Sequence, residues 1–155
     1  MLLLAVTTLV ARSGAADAST ASAAGAREDA TDPWPPAAAL EPADLAKILA
    51  GNAPKPTIVY VGFPALFRPG HIAGATLHGP PSSPEGLADL RKWAEPLPRT
   101  TPIVVYCGCC PLTRCPNIRP AFKALSEMGF THVRVLILPS SFGADWVEKQ
   151  YPVEK

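Results

Sequence analysis

Three short apolar runs stand out along the chain: Thr57-Ile-Val-Tyr-Val61, Ile103-Val-Val-Tyr106 and residues 133–138. Each is rich in β-branched residues, nearly continuous in its apolar character, and bounded by Pro, Gly or polar residues. That pattern predicts strands buried on both faces. Between them, apolar positions recur at helical spacing: Leu45, Ile48 and Leu49; Leu87, Leu90 and Trp93; Ile118, Phe122, Leu125 and Met128. Pro42 suits a first helical turn, Asp44 favours its positive end, and Gly51 is placed to end that helix in a left-handed conformation. Gly129 stops the third helix. Asn117 is placed as its N-cap, orienting N–H groups beneath the preceding loop. Weaker signals predict a turn and loop over 67–75, a short strand near 76–78, a loop over 80–84 and a last helical turn over 144–149. Trp93 and Trp146 read as core residues, and Trp34 as loosely packed. Strands alternating with helices imply right-handed crossovers. The expected fold is a three-layer α/β domain with a mainly parallel sheet of about five strands. Ligands of such sheets sit beyond the carboxyl ends of the strands, and Cys107 directly follows one.

The chain has 155 residues, enough for one domain with a core of its own. Its net charge of +1 argues against a nucleic-acid-binding face. Nineteen prolines keep helices short. The apolar run 2–11 has the length of a signal-peptide core and falls short of the roughly 20 residues of a bilayer span. Gly14-Ala15-Ala16 and Ala16-Asp17-Ala18 offer cleavage sites, with Ala24-Gly25-Ala26 a later one, although no Lys or Arg precedes the run. The expected organisation is a signal peptide over 1–18 (or to 26), a disordered linker over 19–36 rich in Ala, Ser, Thr and Pro, and a domain over 37–155. Export to the periplasm or outside the cell follows, with no stable membrane span after processing.

All four cysteines lie within Cys107-Gly-Cys-Cys-Pro-Leu-Thr-Arg-Cys115, in the pattern C-x-C-C-x4-C. Cysteines used for packing do not cluster in this way. A strand end followed by a helix start gathers backbone N–H groups that stabilise a thiolate or persulfide. Gly108 to Arg114 would form that anion cradle, with Arg114 and Arg119 adding positive charge. The spacing from Cys109 to Arg114 also fits a six-residue anion loop. Cys107 to Cys110 forms a C-x-x-C word suited to thiol–disulfide exchange, in which Cys110 or Cys115 could attack a persulfide on Cys107. A bond between the neighbours Cys109 and Cys110 would be strained, so disulfide partners are expected further apart. Four thiolates also suit zinc, copper(I) or an iron–sulfur cluster. Structural zinc sites, however, draw on separated cysteine pairs. No cofactor is therefore expected, with a metal at the cluster left open. Of the histidines, His71 reads as a structural hydrogen-bonding residue and His78 and His132 as surface positions.

Three segments resemble the rhodanese-like family. Arg68-Pro-Gly-His-Ile-Ala-Gly-Ala75 looks like its G-H-I-x-G-A word, Ile103-Val-Val-Tyr106-Cys107 like its strand ending in the active cysteine, and Phe142-Gly-Ala-Asp-Trp146 with Tyr151-Pro-Val153 like its closing helix and tail. The resemblance covers about residues 37–154. It implies a sulfur-carrying role for Cys107. The sequence departs from the family at Tyr60-Val-Gly-Phe63, where an Asp and an Arg are usual, and at Pro139-Ser-Ser141, where Gly-Gly is usual. The expected function is sulfur transfer or thiol redox at Cys107, as a sulfurtransferase-like or thiol–disulfide oxidoreductase activity. Arg114 would assist catalysis, Gly108 and Arg119 would bind the anion, and Cys109, Cys110 and Cys115 would resolve or regulate the intermediate. The partner would be a small sulfur-containing substrate or a thiol protein. The alternative is a non-catalytic module whose loop binds a metal or an oxyanion.

Overall fold

The computed structural model describes residues 32–155. The chain enters through Trp34 and a 3-10 turn at Pro36–Ala38 into β1 (Ala39–Leu40) and α1 (Pro42–Ala50). β2 (Thr57–Tyr60), a short helix α2 (Pro64–Phe67), β3 (His71–Ile72) and β4 (Ala75–Leu77) follow. Next come α3 (Pro84–Ala94), β5 (Ile103–Tyr106), a 3-10 turn at Leu112–Arg114 and α4 (Ile118–Glu127). The chain ends through β6 (Val133–Leu136), a wide helical turn at Gly143–Val147 and β7 (Val153–Glu154). The main sheet has five strands in the order β1-β6-β5-β2-β4, and every neighbouring pair is parallel. β3 and β7 form a separate antiparallel pair.

Strand period sorts the core into two layers. Val59, Ile103, Val105, Val133 and Val135 face Leu90 and Ala94 of α3 and Ile118, Phe122 and Leu125 of α4. Ile58, Tyr60, Val104, Tyr106 and Leu136 face Leu45 and Leu49 of α1 and Trp146. Cys107 continues the alternation of β5 onto the α3–α4 face. Both faces are covered, which is why the central strands read as continuous apolar runs rather than alternating ones.

The three main strands and the helices at 42–50 and 118–127 match the sequence pattern closely. α3 starts earlier than its apolar spacing suggests. Ser83 caps it by accepting a hydrogen bond from the Gly86 N–H at 3.1 Å, with Pro84 in its first turn. Gly51 ends α1 at φ −78°, not in the left-handed region, because the chain passes directly into extended backbone toward β2. Trp34, expected to pack loosely, is 8% exposed and sits edge-on to Phe122 at 5.7 Å. Packing therefore begins before Ala37. His71 fills a structural role: its Nδ1 lies 3.2 Å from the Phe67 carbonyl, and its ring stacks on Phe67. His78 is half-buried, stacked on Trp93, with its Nδ1 3.2 Å from Asp89. Residues 1–31, which carry the apolar run and most of the expected linker, lie outside the described residues. Among the described residues no helix is long and apolar enough to cross a membrane.

Candidate active site

β5 delivers Cys107 to the carboxyl edge of the sheet, and the chain reverses there at Gly108. Gly108 takes φ +71°, and a β-carbon at this position would meet Phe142 Cβ at 2.6 Å. Only glycine fits that conformation and that approach. Two backbone hydrogen bonds then fix the loop to the following strand and turn, Phe142 N–H to the Gly108 carbonyl at 3.1 Å and Leu112 N–H to the Leu138 carbonyl at 3.2 Å.

The loop gathers its sulfur atoms. Cys107 and Cys115 are buried, and Cys109 and Cys110 are partly exposed. Cys107 Sγ lies 3.0 Å from Cys109 Sγ, and Cys109 Sγ lies 3.4 Å from Cys110 Sγ. The sulfurs of Cys107, Cys109 and Cys115 all fall within 4.8 Å of one another. These are free thiols in contact, far from the S–S bond length of about 2.05 Å. The same three sulfurs could also hold one thiophilic ion.

Asn117 organises the site in a way its N-cap position does not reveal. It stands at the N-cap of α4 and is fully buried, yet its side chain makes no capping bond. Its Nδ2 instead donates to Cys107 Sγ at 3.6 Å, and its Oδ1 accepts the Ser82 N–H at 3.2 Å. The amide thus ties the loop before α3 to the cysteine. The first N–H groups of α4 serve a different sulfur from the one the strand-end argument favours. The Cys107 thiol stabilises the thiolate of Cys115 most, and the N–H groups of Asn117 and Ile118 add to it. Together they lower the Cys115 pKa to about 6. Cys107 is driven far above the ordinary thiol range, first by donating to Cys115 and then by burial. Cys110 is pushed up to about 12, mainly by burial. In the reduced site the negative charge therefore sits on Cys115, and Cys107 holds a proton beside it.

The anion cradle is smaller than the sequence suggests. The N–H groups of Leu112, Arg114 and Cys115 bond to the carbonyls of Leu138, Pro111 and Leu112. The Cys109 N–H is directed at Cys107 Sγ. Arg114 is exposed, at the end of the 3-10 turn. Arg119 is engaged elsewhere. It pairs with Asp32 at 2.6 Å, donates to the Leu112 carbonyl at 3.3 Å and covers the ring of Trp34.

A cavity of about 200 Å³ opens against Cys107, Gly108 and Cys109, walled by Tyr60, Tyr106, Leu66, Gly70, Phe142 and Gly143. No charged side chain lines it. Burial holds both tyrosines well above the usual phenol range, so their hydroxyls stay protonated. The Tyr106 hydroxyl accepts the Ile72 N–H at 3.1 Å. The tyrosines were legible as strand residues. Their place at the ends of β2 and β5 was the signal that they would also reach the site.

No protein-family model matches the sequence, and no curated protein matches it. Solved structures do. The rhodanese-like domain of the Alr3790 protein from Anabaena sp. is similar at 24% identity and TM-score 0.56, over 76% of this chain and 78% of that one. The BH2092 protein from Bacillus halodurans is similar at 20% identity and TM-score 0.58, over 74% of each chain. A Rhodopseudomonas palustris protein of unknown function, named a possible tyrosine phosphatase, is similar at 22% identity and TM-score 0.55, over 75% of this chain and 83% of that one.

Proposed function

We propose that this chain, a divergent protein of rhodanese-like fold, carries sulfane sulfur on Cys107 as a covalent persulfide. One observation supports this above others: Cys107 lines the uncharged cavity, and the buried Asn117 amide donates to its Sγ. A nucleophile that must accept and release one sulfur atom needs one open side and one fixed side. In the forward step Cys107 Sγ bonds to the outer sulfur of a hydropersulfide, and the donor's S–S bond breaks. The donor leaves as its thiol with the proton that Cys107 gives up, so no oxidant is needed. The neighbouring Cys115 thiolate is placed to take that proton first. An uncharged, aromatic-walled cavity suits a small organic persulfide better than a doubly charged oxyanion such as thiosulfate, which would be desolvated there without a cationic partner.

Mass spectrometry of the reduced protein after a hydropersulfide tests this. The expected result is a gain of about 32 Da, one sulfur, on the peptide carrying Cys107. A Cys107→Ser protein that gains the same mass at the same rate would refute the assignment. The purified protein is expected to contain metal well below one equivalent. A stoichiometric ion on these cysteines would overturn the persulfide reading in favour of a binding module. We further propose that the protein works after export, as the N-terminal run indicates.

A further inference from the structure

We infer that Cys115 is the resolving residue of this site, so that the protein reduces sulfane sulfur to sulfide at the expense of its own Cys107–Cys115 pair. The inference rests on the sulfur-carrying role proposed for Cys107 and goes beyond it, because it fixes what happens to the sulfur and which partner must follow.

Cys107 stands on a boundary. On one side is the cavity of about 200 Å³, lined by Cys107 and Cys109 but not by Cys115. On the other side Cys107, Cys110 and Cys115 pack with Leu112, Ile118 and Leu138 in a gap that has no room for water. The outer sulfur of a Cys107 persulfide has space only on the cavity side. Thiol–disulfide exchange needs the attacking sulfur opposite the leaving one. Cys115 lines the interior gap and not the cavity, and its sulfur lies within 4.8 Å of Cys107 Sγ. Cys109 shares the cavity wall with the outer sulfur, so it lies on the wrong side for in-line attack on Cys107. The N–H groups at the start of α4 favour the anionic form of Cys115 whether or not Cys107 carries its proton.

The step balances. A bond forms between Cys115 Sγ and Cys107 Sγ while the bond from Cys107 Sγ to the outer sulfur breaks. The outer sulfur leaves into the cavity as hydrosulfide, carrying its proton and the bonding electron pair. The sulfane sulfur gains two electrons, and the two cysteines lose them as they become a disulfide. A second turnover requires a dithiol reductant to reopen that disulfide. The partner class is therefore a dithiol, small or protein-borne, that reaches the partly exposed Cys109–Cys110 rim of the loop.

The test is a single turnover on the full, pre-reduced chain with one equivalent of a small alkyl hydropersulfide. Free thiols, released sulfide and a peptide map taken under acid quench are followed together. Wild type is expected to release sulfide, lose two thiols and show a Cys107–Cys115 crosslink. Cys115→Ser and Cys115→Ala are expected to hold the extra sulfur on Cys107, with sulfide at the donor-only blank. Cys109→Ser and Cys110→Ser are expected to keep the Cys107–Cys115 crosslink in the peptide map. A wild-type protein that keeps a stable Cys107 persulfide with its thiols unpaired would overturn the resolving role alone. So would a crosslink from Cys107 to Cys109. Failure to find added sulfur on Cys107 in either Cys115 variant, with no sulfide from wild type, would instead remove the carrying role on which this rests. The wild-type crosslink map does not depend on any variant folding.

Discussion

Asn117 shows how one residue can do work its sequence position does not announce. The sequence marks it as a helix cap. The fold uses it as a strut between the Ser82 N–H and Cys107 Sγ. Replacing it with alanine removes both bonds from a fully buried position, at about 0.5–1.5 kcal/mol each. Asn117→Ala is therefore expected to lower the urea midpoint with an unchanged slope and to slow persulfide formation on Cys107. A variant with wild-type stability and rate would remove Asn117 from the site. The cysteine pair makes a second prediction at this scale. Cys115 is a thiolate in the folded reduced protein above a pH of about 6, whereas an unperturbed cysteine keeps its proton to near 9.0. Across that window the unfolded chain binds more protons, so stability rises with pH. The raised Cys107 acts with the opposite sign: its contribution is fully present below the unfolded value and is lost as pH rises beyond it. The urea midpoint of the reduced protein is expected to climb from pH 6 toward pH 9 and then fall. Cys115→Ser should lack the climb, and a flat profile in wild type would contradict the assignment of charge to Cys115.

Among the elements, the cysteine loop depends on the C-terminal turn that closes over it. Phe142 packs on Gly108 and donates its N–H to the Gly108 carbonyl. Gly108→Ala is expected to destabilise by about 1–2 kcal/mol from the left-handed backbone alone, with a further loss from the contact with Phe142. Thermal unfolding and the rate of sulfur loading are expected to fall together, because the same contact closes the cavity. The sequence displayed the elements of the sheet core clearly, since β2, β5 and β6 are each buried on both faces and carry few polar residues. It did not display β1, β3 or β7, two-residue strands too short for any period to register. The loop was legible as the seat of chemistry because Cys107 ends a strand. Which sulfur the α4 amides would serve was not legible, because that depends on how far the 3-10 turn at Leu112–Arg114 carries Cys115 back over the helix. The employment of Arg119 was hidden for a similar reason: its partner Asp32 lies 87 positions away in sequence.

At the scale of the whole molecule, the entry segment is part of the folded body. Trp34 packs on Phe122, and Arg119 of α4 pairs with Asp32 while donating to the cysteine loop at Leu112. Trp34→Ala is expected to cost about 3–5 kcal/mol, the range for removing a large buried aromatic, read as a fall in the urea midpoint. Each candidate cleavage point, after Ala16, Ala18 or Ala26, lies upstream of Asp32. Processing at any of them would leave this anchor on the mature chain. That ordering is compatible with the proposed export, which would give the chemistry a setting: outside the cytosol, thiols are oxidised unless a dedicated dithiol system reduces them. The mature protein isolated from the periplasm or medium is expected to begin at Asp17, Ser19 or Arg27, by N-terminal sequencing, with Cys107 and Cys115 oxidised until a dithiol is supplied. Intact Met1 on protein confined to the cytosol would sink the export reading while leaving the site chemistry standing, since nothing in the sulfur step depends on the first 31 residues.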